Sequence, residues 1–79
     1  MPIELLKKLL EEGKFHHATY REMGSIWEGL YIYENASKEE GGFRGYRLFG
    51  CFNKNDPDLK TAEELVRNTG VSLGSFGKG

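Results

Sequence analysis

The chain has a single cysteine, Cys51, and so cannot form an internal disulfide. It also lacks any apolar run near the ~18 residues that a membrane-spanning helix needs. Its N-terminus carries no apolar stretch of the kind found in a signal peptide. These absences argue against a disulfide-stabilised secreted fold and against membrane insertion. We therefore expect a cytoplasmic protein.

An excess of charge of one sign is missing as well. Eleven Lys and Arg face twelve Asp and Glu, which leaves a net charge of -1. The chain as a whole therefore has no attraction for nucleic acid or an anionic membrane. Hydrophobic residues make up 38% and aromatic residues 13%, a composition typical of a folded globular chain. We predict one domain over residues 1–70 and a Gly-rich tail over residues 71–79, either frayed or a weak edge strand.

Hydrophobic periodicity predicts a helix at each end of this domain and strands between them. Apolar residues recur at helical spacing over residues 2–12, and Gly13 suits the end of that helix. The segment Asp56-Pro57-Asp58 predicts a second helix over about residues 57–69, with Asp56 as its N-cap. From Lys14 to Lys54 the period changes to two, which indicates strands. The predicted fold is α+β, a two-layer sandwich in which a three-stranded antiparallel meander carries two helices on one face, in the order α-β-β-β-α.

The pair Gly24-Ser25 predicts a two-residue hairpin turn, which fixes the register of the first two strands. Because strand side chains alternate between faces, the register assigns every residue to one side of the sheet. Here it places Thr19 beneath the helices, Tyr20 on the opposite, uncovered face, and Arg21 across from Glu28. The uncovered face then becomes the main functional feature of the sequence.

That face is rich in aromatic residues, and an exposed apolar patch on a small protein usually marks an interface. The third strand is placed in the register that makes the helix-covered face most apolar, with Phe52 beside Ile26. Tyr, Trp and Arg on the uncovered face are the residue types enriched in interface hot spots. The predicted interface residues are Tyr20, Trp27, Tyr31, Tyr33, Arg47 and Phe49. An alternative is that the rings lie flat and shield one another, with Tyr20 and Phe49 covering Gly29.

From these residues we expect a small non-enzymatic interaction module, namely an adaptor, regulator or inhibitor. It would bind another protein, or form a homodimer, through the uncovered aromatic face. Short chains of this kind are common among proteins of phages and mobile elements. This expectation rests on size and composition.

Residues with catalytic potential are few. His16 and His17 are adjacent on a strand, so their side chains are expected on opposite faces and unable to bind one metal ion. In the predicted register Cys51 lies across from Trp27, away from His16, which separates thiol from imidazole. A chain this small also has difficulty in forming a pocket of ~300 Å³ or more. We therefore predict no catalytic residue, no metal and no cofactor.

Nucleic-acid binding is the alternative function. The order α-β-β-β-α over residues 2–69 resembles the double-stranded RNA-binding domain, and the resemblance implies phosphate contacts at the start of the second helix. There the chain carries residues 53–58, whose two carboxylates would repel phosphate. A second mode would stack bases on the open sheet with cations near the backbone, using Tyr31, Tyr33 and Phe49, and Lys14, Arg44 and Arg47. Three glutamates in the same strands oppose it, namely Glu22, Glu28 and Glu34.

Overall fold

A computed structural model of the chain describes residues 1–70 and 74–75. Its elements, in chain order, are α1 (Ile3–Glu11), β1 (Phe15–Arg21), β2 (Gly29–Asn35), a short 3-10 helix (Lys38–Glu40), β3 (Tyr46–Asn53), α2 (Leu59–Arg67) and β4 (Gly74–Ser75). The predicted α+β class, with a helix, three antiparallel strands and a helix, is confirmed. No helix in the described part of the chain is long and apolar enough to cross a membrane.

The sheet has the strand order β3-β2-β1-β4. Neighbouring strands among β1, β2 and β3 are antiparallel, whereas β4 runs parallel to β1 and pairs Gly74 with Thr19. Part of the predicted tail is therefore a short edge strand beside β1. Residues 71–73 and 76–79 of that tail lie outside the described residues.

The core lies between the helices and one face of the sheet. Its largest fully buried side chains come from both layers: Leu6 of α1, Val66 of α2, Leu30 and Ile32 of β2, and Phe52 of β3. Because residues of both helices share one cluster with the strands, both helices cover the same sheet face. This arrangement follows from the apolar stripe on each helix, which has no other surface to pack against.

The register of β1 against β2 differs from the prediction by one residue. Ala18 pairs with Ile32 and Tyr20 with Leu30, so Ala18 and Tyr20 face the helices and Thr19 faces away. A shift of one residue moves every side chain of a strand to the opposite face. The predicted faces of residues 17–20, including that of Tyr20, were therefore wrong, whereas Phe15 packs against the core as predicted.

The cause is the connection from β1 to β2, which is a loop over residues 22–28 rather than a turn at Gly24-Ser25. β1 ends where Glu22 adopts a left-handed backbone with φ of 58°. The Ser25 hydroxyl then donates to the Glu22 carbonyl at 2.8 Å and accepts the Trp27 N–H at 3.0 Å. The Glu28 carboxylate accepts the Gly24 N–H at 2.8 Å. These side-chain bonds to backbone replace the ladder bonds of a tight hairpin.

β3 also takes a different register. Phe52 pairs with Leu30, whereas Ile26, its predicted neighbour, lies in the β1–β2 loop. This register buries Phe52 completely, which removes more apolar surface from water than contact with an exposed loop residue. A shift in the ladder leaves Phe49 as the extra residue of a β-bulge, and Phe49 packs against the core beside Leu5. Its predicted place on the uncovered face was wrong.

α2 begins later than predicted, at Leu59. The N-cap residue is Asp58, and its side chain makes no capping hydrogen bond. Asp56, the predicted N-cap, instead accepts the Asp58 N–H at 2.9 Å. This contact is an Asx turn, which directs the chain into the helix without capping its first turn.

Two phenylalanines of very different burial, Phe52 and Phe43, test the observed registers. Phe52→Ala should lower the free energy of unfolding by about 3–5 kcal/mol, because it leaves a cavity in the core. Phe43→Ala should change it by less than about 0.5 kcal/mol, since Phe43 is 68% exposed. Urea unfolding followed by circular dichroism measures both variants, and equal effects would contradict the observed position of Phe52.

Candidate functional site

The sheet face opposite the helices is called the open face below. Strand alternation and pairing place on it side chains of β1, β2 and β3. They include His17, Thr19 and Arg21, Tyr31 and Tyr33, and Tyr46, Leu48 and Cys51. Tyr31 and Tyr33 lie where the sequence placed them. Trp27 lies in the β1–β2 loop.

The other predicted interface residues lie on the helix-covered side. Tyr20 faces Glu63 of α2, and burial, followed by this carboxylate, raises the Tyr20 pKa to about 12. Arg47 donates from Nε to the Glu34 carboxylate at 2.9 Å, in a pair that lies on the α1 side with Phe49. The predicted placement of Tyr20, Arg47 and Phe49 on the uncovered face is thus wrong, because both strand registers differ from those predicted.

Aromatic rings pack together at one end of the open face. The ring of Tyr33 stacks on that of His17, with 4.4 Å between centroids and 1° between planes. The ring of Tyr46 lies edge-on to both, at 4.7 Å from His17 and 5.6 Å from Tyr33. These are favourable geometries for aromatic pairs, so the rings hold one another in place.

The two adjacent histidines lie on the same side of the sheet, contrary to prediction. The β1–β2 ladder shifts between Phe15 and His17, which makes His16 the extra residue of a β-bulge. The His16 ring is 4.8 Å from that of Tyr46, and its Nδ1 lies 2.8 Å from Nδ1 of His17. One imidazole therefore donates a hydrogen bond to the other. Burial, and after it the charge of His16, lowers the pKa of His17.

This histidine pair supplies two nitrogen donors, whereas a zinc site takes three or four protein ligands. No group of three or more His, Cys, Asp and Glu side chains in the described part of the chain could hold a metal ion. Cys51 lies on β3, where it is the register partner of Tyr31 of β2, and β2 separates it from the histidines on β1. Burial raises the pKa of this thiol, which lowers its reactivity as a nucleophile.

A pocket of about 420 Å³ lies on the open face. The described residues that line it are His17, Thr19, Arg21, Tyr33 and Tyr46. Its volume falls in the range of roughly 300–1,000 Å³ that is typical of ligand sites. From the sequence we expected a chain this small to have difficulty in forming a pocket of this volume. Its small size does not prevent one.

Two polar groups of this pocket lack the partners that such groups usually have. Thr19 is 6% exposed, and its hydroxyl has no hydrogen-bond partner in the described part of the chain. Arg21 donates to the Tyr33 hydroxyl at 3.0 Å and lies over the Tyr31 ring at 5.4 Å. Among the described residues, no carboxylate lies within ion-pair distance of the Arg21 guanidinium. Neither Thr19 nor Arg21 was predicted as a functional residue.

No family model, curated protein or solved structure matches the chain. Its function is therefore inferred from the chemistry of its own surface.

The histidine pair has a defined titration behaviour. The His17 pKa should lie below 6.5, and His16→Gln should raise it only part of the way to 6.5, because burial, the larger cause, remains. The unfolded chain then binds the His17 proton more readily than the folded chain, so stability should fall as the pH drops below 6.5. Ring-carbon NMR titration measures both pKa values. A His17 pKa at or above 6.5 would contradict the observed burial.

The hydroxyl of Thr19 should reduce stability, because a buried polar group without a partner loses its hydrogen bonds to water and gains none in the protein. Thr19→Val keeps the shape of the side chain and should raise the free energy of unfolding by about 1 kcal/mol. Thr61→Val, at an exposed position of α2, should change it by no more than about 0.5 kcal/mol. Urea unfolding measures both variants. A loss of stability in Thr19→Val would show that the hydroxyl has a partner in solution.

Proposed function

We propose that the chain is a small non-catalytic protein-interaction module that binds a partner protein through the open face and the β1–β2 loop. The observation that carries this proposal is the exposure of neighbouring apolar side chains in that loop. Trp27 is 64% exposed and Ile26 is 75% exposed. Such residues supply much of the binding energy of an interface when a partner removes them from water.

The loop is held in place before any partner binds. The Tyr31 hydroxyl donates to the Trp27 carbonyl at 2.8 Å, and the Asn53 amide donates to the Ile26 carbonyl at 3.3 Å. The Lys54 ammonium donates to the Ser25 carbonyl at 3.2 Å. These bonds tie the loop backbone to β2 and to the end of β3. An ordered loop loses less conformational entropy on binding, which favours affinity.

Charge on the open face favours a partner other than a second copy. Of the charged side chains in β1, β2 and β3, Glu34 and Arg47 pair with each other on the helix side, which leaves Arg21 on the open face. A symmetric dimer places the same patch of both copies in contact, and so tends to bring cation toward cation. The fitting partner has an apolar cavity for the Trp27 indole and no cation facing Arg21.

The alternative, nucleic-acid binding, has one observation in its favour. Glu34 lies on the helix side, and Glu22 and Glu28 lie in the loop, so the strands present no carboxylate on the open face. The rings, however, already contact protein neighbours: Tyr33 stacks on His17, and Arg21 lies over Tyr31. Base stacking would have to displace those contacts. We therefore place this function second.

Site-specific photo-crosslinking tests the proposal in the cells that encode the chain. A photoreactive phenylalanine analogue replaces Trp27 in one variant and Phe43 in a second. Phe43 is the matched control, because it is an exposed aromatic residue, at 68%, in the β2–β3 connection. Position 27 should give a discrete adduct with a protein other than the chain itself, and position 43 should not.

Light scattering of the purified chain and Trp27→Ala completes the test. A monomer at micromolar concentration is expected for both. If the chain forms a dimer and Trp27→Ala dissociates it, the partner that binds this surface is a second copy of the chain and not another protein. The absence of any adduct specific to position 27, together with a monomer, would contradict the proposal. Strongly salt-dependent binding of fluorescent single-stranded RNA to the open face would instead favour the nucleic-acid alternative.

A further inference from the structure

We propose that the pocket on the open face binds an oxyanion, a phosphate or carboxylate group, through Arg21 and Thr19. This site is separate from the indole contact of the proposed function, and its ligand can be tested without a partner protein. The inference combines three observations on the described residues: an oriented cation without a counter-ion among them, a buried hydroxyl without a partner among them, and a pocket lined by donors.

Arg21 provides the charge. Its guanidinium is oriented by the Tyr33 hydroxyl at 3.0 Å and by the Tyr31 ring at 5.4 Å. Guanidinium carries five N–H donors in one plane, and the bond to Tyr33 uses only one of its nitrogens. The remaining donors match the two oxygens of a carboxylate or phosphate group. Since the guanidinium is already oriented, an oxyanion that binds it orders little additional side chain.

Thr19 provides the second contact. It is the only residue in the described part of the chain whose buried side chain has a polar atom without a hydrogen-bond partner. Thr19 lies two positions from Arg21 on the same face of β1, and both line the pocket. An oxyanion oxygen would accept the Thr19 hydroxyl proton and satisfy a group that the fold leaves unpaired.

The other walls of the pocket suit the same chemistry. The Tyr33 hydroxyl accepts a hydrogen bond from Arg21, so its own proton stays free to be donated to a ligand. His17 and Tyr46 complete the described lining, which contains no carboxylate to repel an anion. With about 420 Å³, the pocket has room for more than the oxyanion group itself. The aromatic walls would contact an apolar portion of such a ligand.

Amide NMR titration of the isotope-labelled chain tests the site with sodium phosphate and with sodium acetate. Sodium chloride at matched ionic strength serves as the reference. Saturable shifts are expected at Thr19, Arg21 and Tyr33 with at least one of the two oxyanions. Phosphate alone would identify a phosphoryl ligand, and acetate a carboxylate ligand. Either result supports the site.

Variants separate the pocket from general charge attraction. Arg21→Gln should weaken binding at least about tenfold, and Thr19→Val roughly three- to tenfold. Arg44→Gln is the matched control, because Arg44 also lies over an aromatic ring, at 5.2 Å from that of Phe43, but does not line the pocket. Its affinity should equal that of the natural chain, as should that of Trp27→Ala.

Three results would overturn the inference. They are shifts no larger than those with chloride, equal affinity in Arg21→Gln, or an equal loss in Arg44→Gln. The titration is independent of the crosslinking experiment, because Trp27 does not line the pocket. Failure of oxyanion binding with a specific adduct at position 27 would therefore leave the protein-interaction module standing, and the reverse result would leave only the oxyanion site.

Discussion

The surface chemistry of this domain depends on the register of β1 against β2. Pairing Ala18 with Ile32 sends Ala18 into the core and turns Thr19 and Arg21 to the open face. A register shifted by one residue would turn Thr19 and Arg21 toward the helices, where burying a hydroxyl and a guanidinium costs free energy. Burial thus selects this register at the centre of the strand. The β1–β2 loop is compatible with this register, because the left-handed Glu22 and the hydrogen bonds of Ser25 end β1 without a tight turn.

Two β-bulges adjust this pattern locally, and each changes the side to which an aromatic or imidazole ring points. The bulge at His16 breaks strict alternation and brings its imidazole within 2.8 Å of that of His17. The bulge in β3 turns Phe49 toward α1, where it adds to the core. A bulge changes the local direction of side chains while the ladder continues on either side. One bulge therefore adds the His16 ring to the open face, and the other adds Phe49 to the core.

The sequence was sufficient to predict the helices and strands, but it was insufficient to predict the registers of the strands. The helices could be predicted because apolar residues recur along them at helical spacing, and both must pack on one sheet face. The open face was predicted on the same grounds. The position of Tyr20 could not be, because Gly24-Ser25 carries a hairpin signal that the Ser25 and Glu28 side chains override. The position of Arg47 depends on a second register, that of β3 against β2, which no turn signal fixes. Alternation is reliable only after a register is known.

The residue that could have given the register is Ala18. A small apolar residue between His17 and Thr19 fits the core better than either neighbour, and aligning it with Ile32 places Arg21 on the open face without the predicted partner Glu28. Local choices in a foldable sequence usually agree with the fold, and departures concentrate at functional sites. On the helix side the residues agree with the fold, because the core is apolar and Arg47 forms an ion pair with Glu34. Thr19 and Arg21, which have no hydrogen-bond acceptor and no ion-pair partner respectively among the described residues, lie together in one pocket on the other side. A buried hydroxyl without a partner is destabilising, and its place beside such a cation is the observation that supports the proposed oxyanion ligand.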